Sequence, residues 1–450
     1  MKPKTHTFLG LLVLVLGVAI TAFAAPVVEV EETVVKYASP DNGAGPLWCY
    51  GAPLLARVGE RVFVSVSETG EGVPPLCNTR WRLYAREKSG WVVKQSEADY
   101  REREPCPLGA LSRDRLVLSV NPSTQPPGTK YGPCEPQALR FSTRALDAAP
   151  EILSPRWVEG HTFTDHSYRG FAVDAKAHEF LLLNIDAKTS EQNWSFYNRK
   201  QEWAATGKIQ FPIRACYPQT ALRRRAAHVL AVGDIVEPTP EWRQFKKEKT
   251  GRDWDYVFRR LFYAWTPNVT RQDFCAPIEI DTVDATAGHI TNLDVWIDAQ
   301  GTAYLLYLKR PVQNDLMRDR YFPALPLVSS LECVAVKDGV IIKRITLVMG
   351  GEKQAGPEPH YARFQALPDG TLDVISYVTE TRPDGKRVEQ NRLQAVLPQV
   401  GEASPISFQE PFRMFFTATE RGGSKPSKIL DLFGIGNDGN VLRYGRVKIR

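Results

Sequence analysis

Apolar and polar positions along this chain alternate in short runs, and the runs recur in one order. A small or polar group leads into a short strand-like stretch, then a turn, then an apolar strand. Seven segments share this outline: Cys49 to Val66, Cys106 to Val120, Asp165 to Ile185, Cys216 to Val232, His289 to Leu308, His360 to Val378 and Lys428 to Val447. Turn residues punctuate them, as in Val58-Gly59-Glu60, Asp298-Ala299-Gln300-Gly301, Pro368-Asp369-Gly370 and Asn437-Asp438-Gly439. The runs that follow, such as Phe180-Leu181-Leu182-Leu183 and Ala303-Tyr304-Leu305-Leu306-Tyr307, are of strand length and continuously apolar, as buried strands are.

Between successive turns there is room for two more strands. Trp81 to Tyr84 and Trp91 to Val93 supply them in the first unit, and Glu332 to Val336 and Val340 to Ile342 in the fifth, across an Asp338-Gly339 hairpin turn. Repeated four-stranded units that cannot bury both faces alone close into a ring. The pattern therefore predicts an all-β fold, a seven-bladed β-propeller occupying residues 25 to 450 as a single domain. The last unit has only two clear strands, so Val27 to Tyr37 is expected to complete its blade and lock the ring. A β-solenoid or a pair of β-sandwiches is the alternative, and the uneven spacing of the units argues against a solenoid. Helical periodicity is scarce: Trp242 to Arg252 reads as a short exposed helix or loop, and Asp253 to Trp265 as a bent strand or hairpin.

The first residues change the picture of where the chain works. Lys2 and Lys4, the apolar run Phe8 to Ile20 and the small-x-small sequence Ala22-Phe23-Ala24 form a signal peptide, residues 1 to 24. A secreted or periplasmic protein with no membrane association after cleavage is the expectation. The net charge of +6 falls to +4 once Lys2 and Lys4 are removed. That mild excess permits an anionic partner without pointing to nucleic acid. The seven cysteines include no Cys-x-x-Cys pair, and an odd number leaves one thiol unpaired within the chain. Their connectivity cannot be read from spacing. A monomer is expected.

In a propeller the innermost strand of each blade runs along the central channel, so residues at its start gather at one mouth. The expected starts are Cys49/Tyr50, Cys106, His166, Tyr217, His289, His360 and Lys428. Three histidines, His166, His289 and His360, precede their turn aspartates by similar intervals, and Arg214 lies just before Tyr217. His166, Tyr217, Arg214 and His289 are the candidate catalytic residues. Asp165, Arg169, Gln219, Asn292, His360, Tyr361 and Arg363 are candidate substrate-binding residues. No spacing motif supports a metal, and no cofactor is expected. His161, His178 and His228 read as structural or surface histidines, and the basic runs Arg223 to Arg225 and Lys246-Lys247 as solvated loop charge. Asn193-Trp194-Ser195 and Asn268-Val269-Thr270 are glycosylation sequons.

The units Asp165-His166-Ser167 through Asn184, Tyr217-Pro218-Gln219 through Val232, and His289 through Tyr307 resemble the BNR-repeat, sialidase-like β-propeller superfamily. The resemblance is nearest to the neuraminidase-like branch that includes seven-bladed ulvan-type polysaccharide lyases, and it covers roughly residues 160 to 380. Complete Asp-box repeats are absent, and no arginine triad with a Tyr/Glu pair can be assigned, which speaks against sialidase chemistry. The resemblance implies β-elimination on a uronate-containing, anionic polysaccharide or oligosaccharide, with His166 and Tyr217 at the positions of base and acid. The lyases' arginine at the end of the second strand would fall near Gly233, so that part does not match. A non-catalytic glycan- or protein-binding propeller is the rival reading. Hydrolysis would need paired carboxylates, for which Asp165 and Asp294 are the candidates.

Overall fold

A computed structural model describes residues 25–48, 51–73, 77–126, 129, 131–252, 255–382 and 384–449. The expected signal peptide, residues 1 to 24, and Cys49/Tyr50 lie outside the described residues. Seven four-stranded antiparallel sheets follow one another around a ring, making a seven-bladed β-propeller. The innermost strands are Leu55–Val58, Leu108–Ser112, Gly170–Asp174, Ala215–Arg223, His289–Ile297, Glu358–Ala366 and Met414–Thr417. We number the blades 1 to 7 in that order.

The strands form where the apolar runs lie because each blade is covered on both faces by its neighbours. In blade 3 every residue of Glu179–Ile185 is buried, and Trp194 and Phe196 of the next strand are closed in behind it. Hairpin turns take the backbone signs that their residues favour: Asp338 and Gly339 both have positive φ, at 49° and 77°, joining Val328–Lys337 to Val340–Gly351. Blade 4 carries the insertion read from the sequence. It holds a two-stranded ribbon, Ile235–Val236 with Tyr256–Val257, and a helix, Pro240–Thr250. A buried knot of charge, Glu237 with Lys246 (2.7 Å) and Arg259 (2.5 Å), ties that helix to the ribbon.

The N-terminal strand Val27–Lys36 is the outermost strand of blade 7 and pairs with Val441–Lys448. Glu32 on it reaches across to blade 1, accepting from Arg86 at 2.6 Å and from Trp91 at 3.1 Å. The ring is thus closed by strands from near the two ends of the chain, with Val27–Lys36 forming the outer edge of blade 7. One expectation is corrected. Lys428 does not begin an innermost strand: Met414–Thr417 takes that place, and Ile429–Ile435 is second in the blade.

The loop between those two strands fills the ring's axis. Its backbone bonds to Ala110 of blade 2 through Gly422 (2.8 Å) and to Val173 of blade 3 through Arg421 (2.8 Å). Gly423 has φ +78°, and a Cβ there would run into the Ala110 carbonyl. The Arg421 side chain pairs with Asp294 of blade 5 (2.7 Å) and donates to Gln219 of blade 4 (3.1 Å) and to the Gly51 carbonyl of blade 1 (2.5 Å). Arg363 of blade 6 joins the same layer, donating to Gln219 (3.1 Å), to the Leu293 carbonyl and to the Tyr361 hydroxyl (2.6 Å).

Removing one member of a buried ion pair strands the other, at a cost of about 3–5 kcal/mol. Arg421→Ala is therefore expected to lower the unfolding free energy by about that amount in denaturant titrations. A loss below about 1 kcal/mol would mean that the axis is held by other contacts.

Candidate functional site

The predicted catalytic residues gather on one face, around the starts of blades 3, 4 and 5. His166 sits between two clamped neighbours. Asp165 is buried and paired with Arg103 at 2.7 Å, and Ser167 bonds to Glu104 through its hydroxyl (2.6 Å) and its N–H (3.2 Å). The histidine between them is half-buried, and its buried Nδ1 has no hydrogen-bond partner among the described residues. Its ring stacks on Tyr168 at 5.8 Å. Desolvation, then the nearby Arg103, holds the His166 pKa below the usual imidazole value, so the ring is neutral near pH 7.

Tyr217 reaches the same place by a different device. The ladder between Ala215–Arg223 and Ala226–Gly233 slips between Cys216 and Gln219, with Tyr217 and Pro218 in the irregularity. Proline cannot donate to the ladder, and a bulge re-aims the side chain beside it. Asn292 secures the bulge from blade 5, donating to the Tyr217 carbonyl (2.7 Å) and the Leu230 carbonyl (3.1 Å). Gly51 packs against it from blade 1, where a Cβ would fall 2.7 Å from the Pro218 oxygen. Tyr217 and Tyr168 both carry positive φ, 54° and 41°, a conformation that costs a bulky residue energy and recurs at functional sites.

The rings then run on in contact. Tyr168 meets Tyr217 edge-on at 5.0 Å, Tyr217 meets Trp48 at 5.7 Å and Phe258 at 6.0 Å, and Phe258 meets His289 at 5.6 Å. Arg214 lies over Tyr168 (5.1 Å) and Tyr256 (5.6 Å) and pairs with the buried Asp234 at 2.9 Å. His166, Tyr217, Arg214 and His289 are thus linked through an aromatic arc. Tyr168, Trp48, Phe258 and Asp234 belong to it and were missed in the sequence. Tyr168 could have been found from its place two residues after His166. Phe258 lies in the blade 4 insertion, where no repeat position marks it.

The expected binding residues divide differently. Arg169, Gln219, Asn292, Tyr361 and Arg363 are buried and bonded to protein groups, so they form the floor beneath the arc and the packing around the axis. Arg169, for example, donates to the carbonyls of Ser119 (2.9 Å), Glu104 (2.9 Å) and Pro105 (3.0 Å). Asp165 is spent on Arg103. His360 stands apart, bonded to Thr379 at 2.8 Å, in an open pocket of about 470 Å³ lined with Tyr377, Arg387, Glu389 and Arg413. Asp294 is closed into the axis with Arg421, so it makes no carboxylate pair with Asp165 at the mouth. Asn193, the first sequon residue, is buried within blade 3.

No protein-family model matches the chain, and no curated protein matches it in sequence. Solved structures with a similar course include the N-terminal domain of Nup159, 7% identical over 94% of this chain and 95% of that one, with a TM-score of 0.44. The Penicillium chrysogenum α-L-arabinanase complexed with arabinobiose is 10% identical over 95% and 98%, at 0.40. A prolyl endopeptidase is 12% identical over 85% and 44%, at 0.45. Proteins of unrelated activity score alike, so the overlap decides nothing about what this chain does. The resemblance to the sialidase-like branch is not confirmed by these comparisons.

Burial, then the nearby Arg310 and Arg259, pushes His289 down to about 4, so it is neutral near pH 7 and cannot offset a carboxylate there. His228, buried and bonded to the Tyr263 hydroxyl at 2.5 Å, is pushed to about 3 by the same desolvation, with Lys337 adding to it. Unfolding returns both to about 6.5. As pH falls below that value the unfolded chain takes up protons that the fold refuses, so stability drops toward pH 4 and 3. The melting temperature is expected to fall across this window, and less steeply in His289→Gln. Parallel curves for the variant and the wild type would remove His289 from the acid response.

Proposed function

We propose that this chain is a secreted, carbohydrate-active propeller that takes an anionic glycan at the arc of His166, Tyr168, Tyr217 and Arg214 and cleaves it by β-elimination. The observation that carries the reading is a neutral histidine with an unpartnered buried nitrogen, set among aromatic rings beside an arginine. A neutral imidazole keeps one ring nitrogen as a proton acceptor, the form that a general base needs. Aromatic faces suit the apolar faces of sugar rings, and Arg214 suits a uronate carboxylate.

Arg214 draws charge from the uronate carboxylate and acidifies the carbon next to it. His166 takes the proton from that carbon. The electron pair forms a carbon–carbon double bond and expels the glycosidic oxygen, which takes a proton from Tyr217. Asp234 holds Arg214 in place at the cost of part of its charge. A second reading, binding without cleavage, is favoured by the cover over the tyrosines: Tyr168 is 6% exposed and Tyr217 5%.

Uronate-containing polysaccharides should yield an unsaturated product, seen as rising ultraviolet absorbance. His166→Ala and Tyr217→Phe are each expected to lower kcat/KM about 10²–10⁴-fold, the usual worth of a general base or acid. Binding on a glycan array with flat absorbance over a broad panel would leave the binding reading. Silence in both assays would sink both.

A further inference from the structure

Two thiols outside the arc face each other. Cys77 lies just before the third strand of blade 1, Thr79–Glu87, and Cys134 just before the third strand of blade 2, Gln137–Ser142. The two side chains are within hydrogen-bond reach of one another. The backbone agrees: Ser123 pairs with Cys134 and donates its N–H to the Arg101 carbonyl (2.8 Å), and Thr79, two residues after Cys77, pairs with the adjoining Glu102. Both cysteines are almost fully covered, at 7% and 8% exposure. The stretch holding Cys134 also lies against the loop that presents His166. Cys134 N–H donates to the Phe163 carbonyl (3.1 Å), Pro133 pairs with Thr164, and Gly132 N–H donates to the Asp165 carboxylate (3.4 Å).

We propose that Cys77 and Cys134 close a disulfide in the mature protein, and that this bond braces the loop carrying His166. Of the other described cysteines, Cys106, Cys216 and Cys333 are buried and Cys275 is exposed. The contact with Cys134 lowers the Cys77 pKa, which favours its thiolate.

The oxidant is a disulfide, either a small molecule such as oxidised glutathione or a protein of an oxidising compartment. Cys77 thiolate attacks it, forming a mixed disulfide and releasing one thiol. Cys134 then gives up its proton and attacks the Cys77 sulfur, releasing the second thiol. Two electrons pass from the protein to the oxidant, and two thiols leave. This inference stands apart from the glycan reading, since it needs neither substrate nor activity.

The full chain, equilibrated with oxidised glutathione, alkylated under denaturing conditions and digested without reductant, should yield one cross-linked peptide pair joining Cys77 to Cys134. Alkylation of both residues after oxidation, or a link from either to another cysteine, would overturn the assignment. Reduction should lower the melting temperature by several degrees in the wild type and leave Cys77→Ser unchanged. Amide hydrogen exchange across residues 161–169 should be slower in the oxidised than in the reduced wild type, a comparison that does not rely on the variant folding. Equal exchange would refute the bracing.

Discussion

The ion pair between Arg421 and Asp294 is the contact on which the ring depends. Both groups are closed off from water, where an unpaired charge is costly and a well-bonded pair is held rigidly. Asp294 also accepts the Phe364 and Val295 N–H groups, at 3.0 and 2.9 Å, so its charge is shared with backbone of blades 5 and 6. Arg421 spends its other donors on blades 1 and 4. One guanidinium thus reports on the positions of blades far apart in sequence. The loop that delivers it comes from blade 7, the blade that the chain ends also close. The axis and the rim are therefore fixed by the same part of the chain.

The mouth cluster inherits its geometry from that layer. Gln219, which accepts from both Arg363 and Arg421, lies two residues beyond Tyr217 on the same bulged strand. Asn292, which holds the Tyr217 carbonyl, lies two residues before Asp294. The polar layer beneath is bonded mainly to protein groups, and the candidate site above it holds the half-buried His166. That division separates polar residues consumed within the protein from the candidate site residues. It also explains why residues of similar type and repeat position, Arg169 and Arg214, end in different roles: one is closed among carbonyls, the other lies part-exposed against tyrosine rings.

Much of the fold was legible in the chain. Apolar runs such as Phe180 to Ile185, the Asp338-Gly339 turn, and the partnerless strand at Val27 each had a local cause, and each formed as expected. The blade 7 innermost strand did not show, because Met414–Thr417 is four residues long and its burial comes from blade 6 and the axis rather than from its own pattern. The placing of His360 was equally hidden. It is the third residue of its strand, whereas His289 is the first, and it falls in the ladder irregularity between Pro359 and Tyr361. A repeat fixes which segment lies innermost, but a shift of two residues changes what a side chain meets.

By itself the sequence determined the seven-fold β architecture, the closure by the N-terminal strand, and the candidacy of His166, Tyr217, Arg214 and His289. These follow from periodicity and turn chemistry, which act over a few residues. Tertiary structure alone decided which polar residues are consumed within the protein. It set His289 neutral by burying it, filled the axis with the blade 7 loop, and brought Cys77 to Cys134. Those outcomes depend on desolvation and on partners from other blades, and neither is encoded in any local stretch of chain.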